Sequence, residues 1–180
     1  QSALPKLLAE TISLINSTSP VQVGVAIPLT IACRKAKKAG IKTVFSGMGA
    51  DELFAGYAKF RNEKNISSLS KKLLAALPSA DFARDKAIAK ASNLSVETPF
   101  LNPAVVKFAL LLPKNKKLSA SRNKIIIREL AISLGLPKEL SERKKVAAQY
   151  GSNSDKAIAK LSKQKGKKYK AAYLAGLAKN

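Results

Sequence analysis

Apolar side chains at Leu4, Leu7, Leu8, Leu14 and Ile15, with Ile12 beside them, recur at helical spacing. They predict a first amphipathic helix ending near Asn16, with Pro5 in its first turn, where a missing N–H is harmless. Ser17 to Pro20 reads as a loop, after which Val21, Val23 and Val25 alternate briefly. Pro28 at a start and Gly40 just past an end bracket a helix through Ile31 to Ala39, whose Arg34, Lys35, Lys37 and Lys38 suit the negative end of the macrodipole. Ile41 to Phe45, rich in β-branched and aromatic residues, reads as a buried strand. Gly47 and Gly49 then break the period, and Ala50 to Phe54 opens a helix that Lys59, Phe60 and Arg61 continue.

The remaining pattern is helical. Leu69, Leu73, Leu74 and Leu77 make an amphipathic helix closed by Pro78, and Asp81 is placed to cap the next, Phe82 to Ala91, which carries the charged pair Arg84-Asp85. Val105, Val106, Phe108, Ala109 and Leu112 predict a buried helix ended by Pro113 and followed by a basic loop, Lys114 to Lys117. Ile125 to Leu134 is strongly helical and is stopped by Gly135 and Pro137. From Asn153 an Ala- and Lys-rich helix with apolar Ile158 and Leu161 runs to Gly166, and a short helix follows through Tyr169, Tyr173 and Leu174. Four apart on one helix face, the two tyrosines read as a docking face, with stacking on bases as the alternative.

Composition narrows the class. A length of 180 residues and an apolar content of 46% fit one globular domain with a real core. The longest apolar runs are far short of a membrane span, and the first residues lack the pattern of a signal peptide, so a cytoplasmic protein away from membranes is expected. The single cysteine, Cys33, has no internal partner and reads as a buried small side chain. Thirty-three Lys and Arg against 11 Asp and Glu give a formal charge of +22, which raises RNA or an acidic protein as a partner. The charge is uneven, +8 over residues 1–113 and +14 over 114–180.

Chemistry concentrates in Ser46-Gly47-Met48-Gly49-Ala50-Asp51-Glu52-Leu53-Phe54-Ala55-Gly56-Tyr57. A strand ending in a glycine-bearing turn at a helix start lets backbone N–H groups approach an anion, and first-turn carboxylates can hold a divalent cation. The string resembles the Ser-Gly-x-Gly-Ala/Ser-Asp-Glu-x-Phe-Gly-Gly-Tyr signature of the asparagine synthetase family. Met48 stands where bacterial members carry glutamate, and Ala55 replaces the first glycine of the pair. Further matches follow in order. Arg84-Asp85 precedes Pro99-Phe100-Leu101-Asn102-Pro103, with Asn102 in place of Asp; Lys124 and Arg128 fall on a Lys-x-x-Leu-Arg helix; Arg143-Lys144-Lys145 falls on an Arg-x-Lys element, and Ala147 to Ser152 resembles the segment after it in archaeal-type members.

The resemblance implies an α/β fold: part of an adenine-nucleotide α-hydrolase-like (HUP) domain with few parallel strands, a strand-turn-helix core over 41–57 and a helical remainder over 58–180. It implies an ATP pyrophosphatase that adenylates the aspartate side chain, releases pyrophosphate and lets ammonia attack. On the matching positions, Ser46, Gly47 and Gly49 would face the nucleotide, Asp51 would bind Mg²⁺, Glu52 would support it, and Lys145 would stabilise phosphoryl charge. ATP and Mg²⁺ are the cofactors implied; an amino-acid substrate and an ammonia-supplying glutaminase are the partners. The family's Ser-Gly-Gly-x-Asp-Ser nucleotide loop has no counterpart in the 180 residues, so a preceding segment or a separate chain is expected to supply it. The alternative reading is a non-catalytic basic module on the same scaffold that binds RNA or an acidic protein.

Overall fold

The computed structural model describes residues 3–79 and 81–178 and is mostly helical with one small sheet. In chain order its elements are α1 (Leu4–Ile15), α2 (Pro20–Lys38), β1 (Thr43–Phe45), α3 (Ala50–Leu53), α4 (Ile66–Ala76), α5 (Asp81–Ala91) and β2 (Ser95–Glu97). Then come α6 (Pro103–Leu111), α7 (Lys114–Lys117), α8 (Ile125–Ser133), α9 (Lys138–Ser141), α10 (Ala148–Gly151), α11 (Ser154–Gln164) and α12 (Lys170–Leu177). The chain divides into two compact units. Unit 1 comprises residues 1–44, 81–96 and 146–180; unit 2 comprises 45–80 and 97–145. The 41–57 stretch is therefore shared, and the chain passes from one unit to the other within each strand.

The strands pair in parallel: Ser95 N–H donates to the Lys42 carbonyl at 2.9 Å and Ser46 N–H to that of Glu97 at 2.8 Å, so the partners advance in the same direction. The strand is shorter and less buried than its composition predicts. Among the described residues the sheet has two strands, so Val44 packs on the core whereas Phe45 is 77% exposed.

Unit 1 is built from long helices. Leu8, Ile12, Val23, Ile27, Ile158, Tyr173 and Leu174 form one buried cluster; Ala26, Cys33, Ile88, Ala89 and Leu94 form another, and Ile15 packs against both. Pro28 does not begin a helix, because α2 starts at Pro20 and runs through it. A proline inside a helix leaves the carbonyl four residues back without its donor. That carbonyl belongs to Gly24, and the buried Ser154 hydroxyl donates to it at 2.5 Å. Gly24 also lets α10 approach, since a Cβ there would stand 3.1 Å from Gln149 Cβ. The local helix break that Pro28 signals is thus repaired by a residue 130 positions from Gly24.

Asp81 lies in the first turn of α5 rather than ahead of it, and its carboxylate accepts from Arg84 at 2.7 Å. Arg84 is buried; it also donates to Asp85 at 2.7 Å and to Gln22 of α2 at 2.9 Å, tying the two helices. Tyr169, which lies just before α12, and Tyr173 within it part company. Tyr173 is in the core, while Tyr169 is 64% exposed with the Lys168 ammonium over its ring.

Unit 2 is made of short helices and turns. α3 is one turn, not the opening of a longer helix. Gly56 N–H donates back to the Asp51 carbonyl at 2.8 Å and Ala55 takes a left-handed φ of 55°, which is a Schellman termination. A separate 3-10 turn covers Ala58–Phe60. Leu53, Phe54 and Ala109 form one core cluster, and Ala55, Phe60, Ile66 and Leu118 another. α6 is less buried than its apolar run predicts: Ala109 is enclosed, but Phe108 and Leu111 face outward. The basic stretch Lys114 to Lys117 is a helical turn rather than a loop, and Lys117 is fully buried. Its ammonium has no hydrogen-bond partner among the described residues, and burial pushes its pKa down. Asn102 caps α6, accepting from Ala104 N–H at 3.0 Å, which is the turn chemistry that an Asp-to-Asn exchange preserves.

Candidate functional site in unit 2

The Schellman turn after α3 places the Asp51 carboxylate where two distant lysines meet it. Lys145 lies 2.6 Å from Oδ2 and Lys124 lies 2.9 Å from Oδ1. Burial alone would raise the Asp51 pKa, but the hydrogen bonds from Lys145 and Lys124, with their charges, outweigh it and hold the carboxyl below its usual range. Gly56 is required beside them, because a Cβ there would sit 1.8 Å from Asp51 Oδ1 and 2.7 Å from Lys124 Cε.

The lysines are positioned by their own loops. Lys124 has a left-handed φ of 53° at the start of α8. Arg128, one turn on, donates to the carbonyls of Asn123 at 2.9 Å, Ser141 and Arg143 at 3.3 Å. One guanidinium therefore fixes the segment bearing Lys124 and the segment leading to Lys145, a fork geometry that lysine could not supply. Asn123 adds a bond from its amide to the Gly56 carbonyl at 3.0 Å. The Lys145 ammonium also stands 5.1 Å from the centre of the Tyr57 ring.

Each residue singled out in the sequence has a defined place. Glu52 is buried, and its carboxylate accepts from the Tyr57 hydroxyl at 2.6 Å, while its carbonyl accepts from Ser70 at 2.7 Å. Ser46 Oγ accepts from Met48 N–H at 3.3 Å. Gly47 is exposed, with open space where a Cβ would be, so the fold itself does not demand glycine there. Gly49 differs: its φ is 88° and a Cβ would lie 2.4 Å from Leu101 Cδ2, so turn and packing both require it. As α3 is a single turn, its dipole is too short to make the anion site that the sequence suggests. The positive charge comes from Lys124 and Lys145 instead. Lys124 and Tyr57 join the site without having been assigned roles; the signal for both was their position inside matched motifs.

A cavity of about 450 Å³ opens beside Lys145, lined among others by Gly56, Tyr57, Arg61, Arg122, Arg128 and Lys144. Its cations are already engaged in part: Arg61 donates to the carbonyls of Ser119 and Ala120, and Arg122 pairs with Glu142. Among the described residues no group of three or more His, Cys, Asp or Glu side chains gathers. Asp51 thus offers one carboxylate whose two oxygens are engaged by Lys124 and Lys145, so Mg²⁺ held there would share it with the lysines and would draw its other ligands from phosphate and water.

The asparagine synthase family profile matches residues 1–89 and 72–175. The chain belongs to the asparagine synthase family. It is 32% identical over 84% of its length to the Methanocaldococcus jannaschii protein assigned as glutamine-hydrolyzing asparagine synthetase 1. It is 29% identical over 77% to Escherichia coli asparagine synthetase B, and 28% identical over 66% to asparagine synthetase 1 of Arabidopsis thaliana, both named as glutamine-hydrolyzing. The matched part is 35%, 26% and 21% of those proteins, so the chain spans about a third or less of the relatives it matches. No single described helix is long and apolar enough to cross a membrane.

Proposed function

We propose that this chain carries the phosphate-handling part of an asparagine synthetase-like, ATP-dependent amide ligase on a partial HUP-type α/β scaffold. The observation that carries the reading is the convergence of Asp51 and Lys145, 94 positions apart, with Lys124 as a third member. Two ammonium groups on one carboxylate leave net positive charge, which suits a phosphate chain. Charge held by the fold where negative charge grows lowers the barrier to adenylation by a few kcal/mol. Lys145, the more exposed of the two lysines, stabilises the transferring phosphoryl group, and Lys124 holds the opposite side. Glu52, locked by Tyr57, keeps the turn in shape from beneath. Ser46 and Gly47 face the nucleotide, with Gly49 fixing the turn between them and α3. Asp51 would hold Mg²⁺, which would supply positive charge to the phosphates there. The acid is aspartate, the nitrogen comes as ammonia from a glutaminase, and a segment bearing the family's nucleotide loop completes the ATP site in the cytoplasm.

The test is aspartate-dependent pyrophosphate release by the chain joined to a segment carrying that loop. Lys145→Ala lowers the adenylation rate on the order of a hundredfold while ATP affinity stays nearly unchanged, because the charge acts where charge develops. Asp51→Asn weakens the apparent dependence on Mg²⁺. Normal ATP binding without pyrophosphate release for any amino acid would overturn the reading.

A further inference from the structure

The turn that follows α5 leaves a groove in unit 1 that the proposed reaction does not use. Asn93 takes a left-handed φ of 55° and Leu94 N–H returns to the Ala89 carbonyl at 3.0 Å, so the chain reverses and β2 runs back beside the helix that precedes it. Between them lies a cavity of about 480 Å³, bounded by Phe82, Lys86 and Lys90 of α5 and by residues 93–96. All of these belong to unit 1, and no described residue of β1 lines the cavity. It therefore lies along the edge of β2 that β1 does not use. Ser95 and Glu97 turn their ladder groups to β1, since Ser95 N–H reaches the Lys42 carbonyl and the Glu97 carbonyl accepts from Ser46. Alternation then turns the Val96 N–H and C=O the other way, and neither has a partner among the described residues. An edge of that kind pairs with an extended backbone.

The side chains of the groove narrow the occupant. Phe82, Lys86 and Lys90 stand at i, i+4 and i+8 on one stripe of α5, so each step rises about 6 Å and the whole about 12 Å. Alternate side chains of an extended strand are about 6.6 Å apart, so a strand in the groove sets three successive same-side residues against these three. Phe82 is half-buried and the Lys86 ammonium stands 5.9 Å from its ring centre, so the ring is an apolar wall and not a stacking platform. Lys86 and Lys90 are exposed and have no acidic partner among the described residues, because Asp81 and Asp85 of the same helix are engaged by Arg84. No acidic side chain lines the groove. Carboxylates two residues apart on an added strand therefore meet both lysines. A second copy of the chain would set lysine on lysine, and a nucleic acid has no ladder to pair with Val96.

We propose that the groove between α5 and the free edge of β2 binds an extended acidic segment of a partner protein, with the pattern apolar-x-acid-x-acid read along α5 from Phe82 to Lys90, which adds a strand beside Val96. The proposal is independent of the ligase reading, since it uses no residue of the Asp51 site. The probes are the peptide acetyl-Thr-Val-Thr-Glu-Thr-Glu-Thr-amide and its reverse sequence, each titrated at about 0.15 M salt into the isotope-labelled 180-residue chain and followed by amide shifts and amide exchange. One of the two directions binds, moves the amides of residues 82–96, and slows exchange of the Val96 amide about fivefold or more at saturation. Lys86→Glu with Lys90→Glu weakens that peptide about tenfold or more and gains affinity for the same peptide with lysine in place of glutamate, because both contacts change from attraction to repulsion and back. Binding of the lysine peptide also shows that this variant is folded. A control of equal charge change at the end of α2, Lys35→Glu with Lys38→Glu, stays within about twofold of the parent. Binding in neither direction, equal binding of the scrambled peptide acetyl-Thr-Glu-Glu-Thr-Thr-Thr-Val-amide, an unprotected Val96 amide, or equal losses in the two double variants would each overturn the assignment.

Discussion

Unit 1 and unit 2 hold themselves together by different means. Unit 1 packs long helices around apolar side chains, and its main polar anchors, Arg84 and Ser154, are buried. Unit 2 has short segments that bury less, and it fixes them by charged side chains reaching backbone carbonyls: Arg128 to three, Arg61 to two and Lys114 to two. The candidate site needs loops held in place without long elements, and hydrogen bonds with fixed direction can do this where non-directional apolar burial cannot. The charge follows a different division. Unit 1 carries 17 basic and 4 acidic residues, unit 2 carries 16 and 7, and none of the unit 1 cations belongs to the candidate site of unit 2.

The largest expected effect separates buried from exposed ion pairs. Arg84→Met leaves Asp85, whose side chain is only 14% exposed, without its cation and costs about 3–5 kcal/mol in urea unfolding. Arg122→Met in unit 2 removes a pair whose partners are about a third exposed, and costs under about 1 kcal/mol. Equal costs would erase the distinction between the units. Next comes Ser154→Ala, which strips the donor from the Gly24 carbonyl beneath Pro28; the expected loss is about 1–3 kcal/mol, with faster amide exchange in the middle of α2. Loss without local exchange would show that water replaces the hydroxyl.

Ala55→Gly sharpens the comparison from the other side, because it removes a strained position rather than a contact. At φ 55° a glycine is free of the Cβ penalty, and a gain of about 1 kcal/mol is expected, seen as slower exchange around α3. The smallest effect is in the response to acid. Asp51 is held below the usual carboxylate range, so its contribution is present above about pH 4 and is lost as pH falls through the folded value. Burial raises Asp85 despite Arg84, so the folded state holds that proton longer, and its contribution falls as pH rises from about 4 through the folded value. The stability difference between the parent and Asp51→Asn therefore shrinks on acidification, whereas that between Asp85→Asn and the parent grows as pH rises. Parallel trends in the two variants would contradict the assigned shifts.

The sequence by itself determined the helices with apolar periodicity, α1, α4, α8 and α11, and the motif string that marks the family, because both are local patterns. It also placed Cys33 in the core. Only the tertiary structure decided that Pro28 lies inside a helix, since the donor that makes this tolerable comes from Ser154 on another element. It decided that Tyr173 is core and Tyr169 surface, and that Lys117 is buried, since exposure depends on what packs opposite and not on residue type. It brought Lys124 onto Asp51, a contact that needs the Ala55 turn, the absence of a Cβ at Gly56 and the Arg128 fork together. Periodicity and motif spacing report what a segment does alone; a carboxylate shared by two lysines 73 and 94 residues away exists only once long-range hydrogen bonds have closed the loops between them.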